Sequence, residues 1–293
     1  MEEQLAWAAA FTPRRLEAPY GWCGHIPFAA WLMGQLRPSV VVELGTHSGN
    51  SYFALCQAAS DLELPTRLFA VDTWRGDEHA GWYGEEVYAQ VARHNADLYA
   101  QRSTLMRMSF DEAVAHFADA SIHLLHIDGL HTEAAVRHDF TTWAPKLAPG
   151  AVVLLHDTAV RAGDFGVWRL WEELRQTYPY HLEFLHSHGL GVLWTGPGEP
   201  PAWLVPESAA HLRVLEFFTA VGGRMLAAAM GRQWETQLSE TQAQLAETQA
   251  QLAETQAQLV ETQAQLTACL QSRSWRYTAP LRRLGAWARR IAR

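Results

Sequence analysis

Several things are scarce in this sequence, and each scarcity excludes something. Cysteine occurs three times in 293 residues, at Cys23, Cys56 and Cys269. So few, odd in number and widely spaced, they exclude a disulfide framework and fit a reducing cytoplasm. No stretch approaches the roughly 18 consecutive apolar residues of a membrane span, so an integral membrane protein is not expected. A secretory signal is not expected either, because Glu2 and Glu3 precede a short apolar run over residues 5–11, the wrong charge order. Lysine is confined to Lys146. Acids are missing from residues 272–293, which hold seven arginines and so carry +7; the remaining 16 basic and 31 acidic residues leave the body at −15. An acidic body repels phosphates, so nucleic acid is excluded as a partner, while the basic tip alone could meet an anionic surface.

What is present is a chain rich enough to fold, at 48% hydrophobic and 11% aromatic. Its length suggests about two units. Residues 1–196 alternate apolar, β-rich runs with helical patterns, as in a parallel sheet flanked by helices. Gly196-Pro197-Gly198-Glu199-Pro200-Pro201 interrupts regular structure, and a helical extension is expected over residues 197–234. Residues 235–271 repeat ETQAQL with period seven, placing Leu238, Leu245, Leu252, Leu259 and Leu266 in register. These are strong helix formers without Gly or Pro, so a helix of about 55 Å is expected, self-associating through a leucine seam into a homo-oligomer of unreadable number. Over residues 272–293, Pro280 starts a second helix. At about 100° per residue, Leu281, Leu284, Trp287, Ala288 and Ile291 share one face, opposite Arg282, Arg283, Arg289, Arg290 and Arg293. Such a helix suits an anionic membrane surface or a protein partner.

The first strand, Val40-Val41-Val42-Glu43-Leu44, runs into Gly45-Thr46-His47-Ser48-Gly49-Asn50 and then a helix. A strand, glycine turn and helix start leave backbone N–H groups over the strand's carboxyl end, where Gly45 and Gly49 let a ligand approach. Dinucleotide folds use Gly-x-Gly-x-x-Gly for a pyrophosphate. Here Glu43 stands beside the loop, which disfavours a pyrophosphate and favours a cationic ligand. S-adenosylmethionine, with an ammonium and a sulfonium, is such a ligand. The second strand ends at Asp72, suited to accept hydrogen bonds from both ribose hydroxyls. After the third strand, Met108 and Ser109 are candidates to hold an adenine ring.

Two further strands end in acids: one runs into Asp128-Gly129-Leu130-His131, the other into His156-Asp157-Thr158. Asp128, His156 and Asp157 then suit Mg²⁺ or another divalent cation as ligands; the alternative is that His156 and Asp157 cap the next helix while Asp128 holds the cofactor's amino group. His131, one turn beyond Asp128, has the unperturbed pKa near 6.5 of a general base. The loop from Trp74 to Gly84 is aromatic, charged and glycine-hinged, as a sugar-binding lid would be. Near residue 190, two short strands joined by a brief connection can only be antiparallel neighbours.

These runs, with Gly24-His25-Ile26-Pro27-Phe28, Val71-Asp72-Thr73-Trp74 and Gly189-Leu190-Gly191-Val192, resemble the bacterial class I methyltransferases called methyltransferase family 24, over roughly residues 20–195. The resemblance implies an α/β, doubly wound Rossmann-like sheet of seven strands whose last is antiparallel, with S-adenosylmethionine as cofactor. Its cofactor-binding residues would be Glu43, Gly45, Thr46, Ser48, Gly49, Asp72, Trp74, Met108 and Ser109. Related antibiotic-sugar O-methyltransferases carry an Asp-x-x-His element and a Glu-Asp pair that binds Mg²⁺. Asp128, His131 and Asp157 match that pattern, and His156 departs from it by standing where the Glu would be. Residues 272–282 also resemble a tail found on bacterial glycosyltransferases and glycan-modifying enzymes. Together these imply a methyltransferase for a glycan or glycolipid hydroxyl, cytoplasmic and held at the inner face of the plasma membrane by lipid or a glycosyltransferase. A small-metabolite methyltransferase, and a scaffold that merely binds cofactor, are the alternatives.

Overall fold

Strands buried on both faces need apolar side chains at nearly every position, and the central strands here have them. The computed structural model describes residues 2–291. Its strands are β1 (Val40–Leu44), β2 (Arg67–Asp72), a small ribbon of β3 (Gly76–Asp77) and β4 (Gly81–Trp82), β5 (Ser103–Arg107), β6 (Ile122–Ile127), β7 (Leu147–His156), β8 (His181–Phe184) and β9 (Leu190–Trp194). Seven of them form one sheet in the order β5-β2-β1-β6-β7-β9-β8. β5, β2, β1, β6 and β7 are parallel, whereas β9 runs antiparallel to both β7 and β8. The expected α/β sheet of seven strands, ending in an antiparallel hairpin, is therefore present.

Alternation along β1 sends Val41 into one core and Val42 and Leu44 into the other. The first core is covered by α1 (Glu2–Ala9), α2 (Ile26–Leu36), α3 (Asn50–Asp61), α4 (Glu85–Leu98) and the start of α8 (Ala209–Gln271); the second by α5 (Phe110–Ala113), α6 (Glu133–Trp143) and α7 (Val167–Thr177). Strand order reverses between β1 and β6, so the loops leaving them part and open a crevice above their carboxyl ends.

The same alternation corrects one expectation. Glu43 points into the first core, not toward the crevice. Parallel register pairs it with His126 on β6, and His126 Nδ1 lies 2.8 Å from Glu43 Oε2. Trp22 Nε1–H donates to His126 Nε2 at 3.1 Å. Because an indole can only donate, His126 Nε2 must accept, and its proton sits on Nδ1, directed at Glu43. Both Glu43 and His126 are fully buried, and this carboxylate is a core hydrogen-bond acceptor rather than a cofactor contact.

Helix α6 buries an unpaired acid, Asp139, whose pKa burial pushes up to about 7, with His138 pulling it down and Asp111 pushing it up. A folded-state pKa above the unfolded one, near 3.9, means that the native state binds the extra proton. The contribution to stability is therefore fully present below about pH 4, is lost as pH rises from about 4 to 7, and stays lost above 7. Asp139→Asn should raise stability by roughly 1–3 kcal/mol at pH 8 and have little effect near pH 4. Urea unfolding at the two pH values checks this, and an equal effect at both would contradict it.

The chain divides into two compact units, one running to Met230 and the other starting at Gly231. Helix α8 (Ala209–Gln271) is continuous through the repeat. Its first turns bury Val214, Phe218, Val221 and Ala229, while Leu238, Leu245, Leu252, Leu259 and Leu266 are 56–59% exposed. One 18-residue window of α8 has mean hydropathy 1.3 and so meets the length and composition of a membrane span, with 28% of it buried. The expectation that no stretch comes near this is corrected; the reason is an Ala-, Gly- and Phe-rich run around residues 214–231 that few charges interrupt. Two helices follow, α9 (Arg273–Tyr277) and α10 (Ala279–Ile291).

Candidate active site

The loop after β1 is shaped by what lies above it. Gly45 has φ +86°, and a β-carbon there would stand 2.0 Å from the carbonyl oxygen of Asp128. Only glycine permits both the dihedral and the approach. Asp72, at the end of β2, holds this loop. Its Oδ2 accepts the N–H groups of Thr46 and His47, each at 2.9 Å, and its Oδ1 accepts that of Trp74 at 2.6 Å. A carboxylate offers about four acceptor positions. Three are taken by backbone N–H groups, the Tyr83 hydroxyl also faces this carboxylate, and Asp72 borders the crevice.

Two adjoining cavities fill the crevice. One of about 250 Å³ is lined by Gly45, His47, Asp72, Ser109, Phe110 and Asp128, among others. The second, about 420 Å³, is lined by Thr46, Ser48, Asp128, His131, His156 and Asp157, and is walled by Trp22, His79, Phe165 and His188. Neither lining contains Arg or Lys.

The remaining sequence candidates divide. Thr46 and Ser48 line the larger cavity, and Thr46 Oγ1 is buried without a hydrogen-bond partner. Gly49 caps α3 with φ +85°. The Ser109 side chain is engaged in a capping box with Glu112, and this residue borders the smaller cavity. Met108 faces a neighbouring depression with Arg75 and Arg107 rather than either crevice cavity. Trp74 is also displaced from its expected role: its indole is buried against Tyr88 and donates to the His47 carbonyl at 3.0 Å. It fastens the loop and lines neither cavity.

At the other end, acids and histidines interlock. His131 Nε2 lies 3.0 Å from Asp157 Oδ2 and 3.4 Å from Asp128 Oδ1. Burial works to lower the pKa of this imidazole, but hydrogen bonds to Asp128 and Asp157 raise it to about 10. The expected unperturbed histidine is therefore an imidazolium at neutral pH while it faces both carboxylates. His156 donates through Nε2 to the Ser187 carbonyl at 3.0 Å and points Nδ1 at Asp128 Oδ1 at 3.1 Å. Both neighbours are acceptors, so both nitrogens carry protons. Burial opposes that charge, yet Asp128 and Asp157 lift the pKa to about 9. Conversely, burial alone would raise both carboxyls, but the histidine charges hold Asp128 and Asp157 well below the usual carboxylate range.

Donor atoms close enough to share a cation occur in two groups, Asp128–His131–Asp157 and His156–Asp157–His188. Asp157 belongs to both, and its buried Oδ1 lies 3.4 Å from His188 Nδ1 and 3.5 Å from His156 Nδ1. Ligation by His156 or His131 would require each to give up a proton.

Sequence reasoning missed the walls. His79, on the loop carrying the β3–β4 ribbon, hydrogen-bonds Asp164 Oδ1 at 2.8 Å. Its ring lies near-parallel to Phe165 at 4.4 Å, and Phe165 lies parallel to His131 at 4.9 Å. The expected lid thus reaches His131 through histidine and phenylalanine rings, while its Trp82 is 76% exposed. The segment before α2 was also missed: Asn50 binds the carbonyls of Glu17 and Pro19, bringing Trp22 to the cavity edge. Backbone strain gathers here too, with positive φ at His47, Trp74, Asp157, Ser187 and His188.

Comparison with known proteins bears on these same residues. The family model described as a methyltransferase domain matches residues 42–158. The uncharacterised protein y4gI of Sinorhizobium fredii is 50% identical over 184 residues, which is 63% of this chain and 20% of that protein. The chain therefore spans about a fifth of the length of this curated relative. Among solved structures, the O-methyltransferase TomG of Streptomyces achromogenes, involved in tomaymycin synthesis and bound to SAM, is similar at 17% identity, covering 67% of this chain and 91% of that one, with a TM-score of 0.45. A methyltransferase from Geobacter sulfurreducens is similar at 14% identity, covering 66% and 85%, with a TM-score of 0.43. The part of the chain that matches a methyltransferase domain is the part that carries Gly45, Asp72, Asp128, His131 and Asp157.

Proposed function

We propose that this chain is an S-adenosylmethionine-dependent O-methyltransferase acting on a sugar hydroxyl of a bacterial glycan or glycolipid intermediate. The observation that carries it is the adjacency, in one crevice, of a clasped glycine loop and an acid–histidine cluster, both joined to Asp128. The residues fit the cofactor: Asp72 lines the smaller cavity as an acceptor, and the buried Thr46 Oγ1, at the larger one, lacks a partner. When bound, S-adenosylmethionine supplies an electrophilic methyl on a positively charged sulfur. A lining with acids and without Arg or Lys attracts such a cation and would repel an anionic acceptor head.

An alcohol attacks poorly until its proton leaves, and His131 Nε2 is the nitrogen positioned to take it. Facing both carboxylates, that nitrogen stays protonated near pH 7; it accepts a proton at higher pH, or when Asp128 or Asp157 is otherwise engaged. A divalent cation would be held by these two carboxylates and would polarise the acceptor hydroxyl. Trp22, Phe165 and the neutral polar edges around them suit a sugar ring. The exposed heptad leucines support assembly with a second copy of the chain.

Titration calorimetry with S-adenosylhomocysteine, then transfer of labelled methyl to free sugars, lipid-linked glycans and macrolides, tests the reading in two stages. Uptake of the cofactor product and label on glycan oxygen are expected. No uptake would remove the methyltransferase reading; label confined to macrolides would remove only the glycan.

A further inference from the structure

The tail carries a surface chemistry of its own, and its residues say what it meets. Wound at about 100° per residue, α10 sets Leu281, Leu284 and Trp287 within an arc of about 120°, opposite an arc holding Arg282, Arg289, Arg290 and Arg283. The side chains of Ala288 and Ile291, and Arg293 entirely, lie outside the described residues. Leu281, Leu284 and Trp287 are 68%, 63% and 65% exposed. Residues 272–293 contain no acid, and Arg283, Arg289 and Arg290 make no ion pair among the described residues. Arg282 instead turns back, its guanidinium 3.7 Å from the centre of the Trp275 ring and donating to the Trp275 carbonyl, which ties α9 to α10.

We propose that α10 lies in the plane of an anionic lipid bilayer, its leucines and tryptophan among the acyl chains and its arginines among the headgroups. At 13 residues it is about 20 Å long, too short to cross the roughly 30 Å hydrocarbon core, so it rests on the surface. Trp287 sits at the edge of the apolar arc beside Arg283, the place where an amphipathic indole favours the interface. A protein groove would need the apolar anchors but would give no reason for a second face made of four arginines and no acid. An anionic surface uses both faces.

The test needs no methyl transfer and stands apart from that reading. The full chain is sedimented with vesicles of phosphatidylcholine alone and of phosphatidylcholine mixed with phosphatidylglycerol. Binding to the mixed vesicles only is expected, falling at least about tenfold between ~0.1 M and ~0.5 M salt. The double variant Arg289→Glu, Arg290→Glu should weaken it about tenfold or more, and Trp287→Ser should weaken it at constant charge. Unchanged circular dichroism and thermal unfolding in these exposed-site variants would confirm that the fold is intact. Absence of vesicle binding, equal binding to neutral vesicles, or wild-type binding by the charge-reversed chain would each overturn the proposal. So would a vesicle-inert tail that instead forms a stoichiometric complex with a purified protein.

Discussion

Asp72→Ala should lower affinity for S-adenosylhomocysteine at least about a hundredfold and destabilise the fold by roughly 3–5 kcal/mol. The two effects have separate causes. Removing the carboxylate strips partners from the N–H groups of Thr46, His47 and Trp74, three donors in a buried or half-buried loop. Each orphaned donor costs about 1–3 kcal/mol, less whatever the loop recovers by relaxing toward water. On the proposed reading the affinity loss follows because that loop and Asp72 itself line the smaller crevice cavity. Asp72→Asn separates the effects. Its amide oxygen can replace one carboxylate oxygen, but its NH₂ must then confront an N–H, so destabilisation near 2 kcal/mol is expected. Calorimetry and thermal unfolding on both variants give the answer. If Asp72→Ala unfolds early yet still binds the product at saturation with wild-type affinity, Asp72 is a loop clasp and nothing more.

How much of this was legible follows from which contacts are local. The glycines lie within a few residues of the apolar run of β1, and each acid directly follows or ends its own strand, β2, β6 or β7, so local pattern alone located them. The direction of Glu43 was not legible. It depends on the register of β1 against β6, which pairs positions 83 residues apart, and on an indole arriving from residue 22. Trp74 failed similarly: position after β2 suggested a cavity wall, but a positive φ turns it inward to fasten the loop. The wall made by His79 and Phe165 depends on a contact between residues 79 and 164, brought together only by the closed fold. The protonation state of His131 could not be foreseen either, since two carboxylates from different strands set it, and a side chain's ordinary pKa says nothing about neighbours supplied by folding.

That last point gives the sharpest test of the chemistry. His131→Ala should cut methyl transfer by about 10²–10⁴-fold while lowering affinity for S-adenosylhomocysteine far less than Asp72→Ala does, because the imidazole lines both cavities but its polar contacts run to Asp128 and Asp157 and not to the glycine loop. The pH dependence is more discriminating. With its pKa raised to about 10, His131 is proton-free in roughly one molecule per thousand at pH 7. A base must be proton-free to act, so kcat/KM in the presence of chelator should climb about tenfold per pH unit from 7 and level off approaching 10. Asp157→Asn removes one of the two charges that hold the proton, at 3.0 Å from Nε2, and should shift the rise toward lower pH. Added Mg²⁺, drawn to Asp128 and Asp157, should shift it the same way in the wild type and much less in the variant. A profile already flat at pH 7 without metal, or one unmoved by Asp157→Asn, would take the proton-accepting role away from His131. A collapse of product affinity in His131→Ala would show instead that the histidine holds the crevice open and that another group accepts the proton.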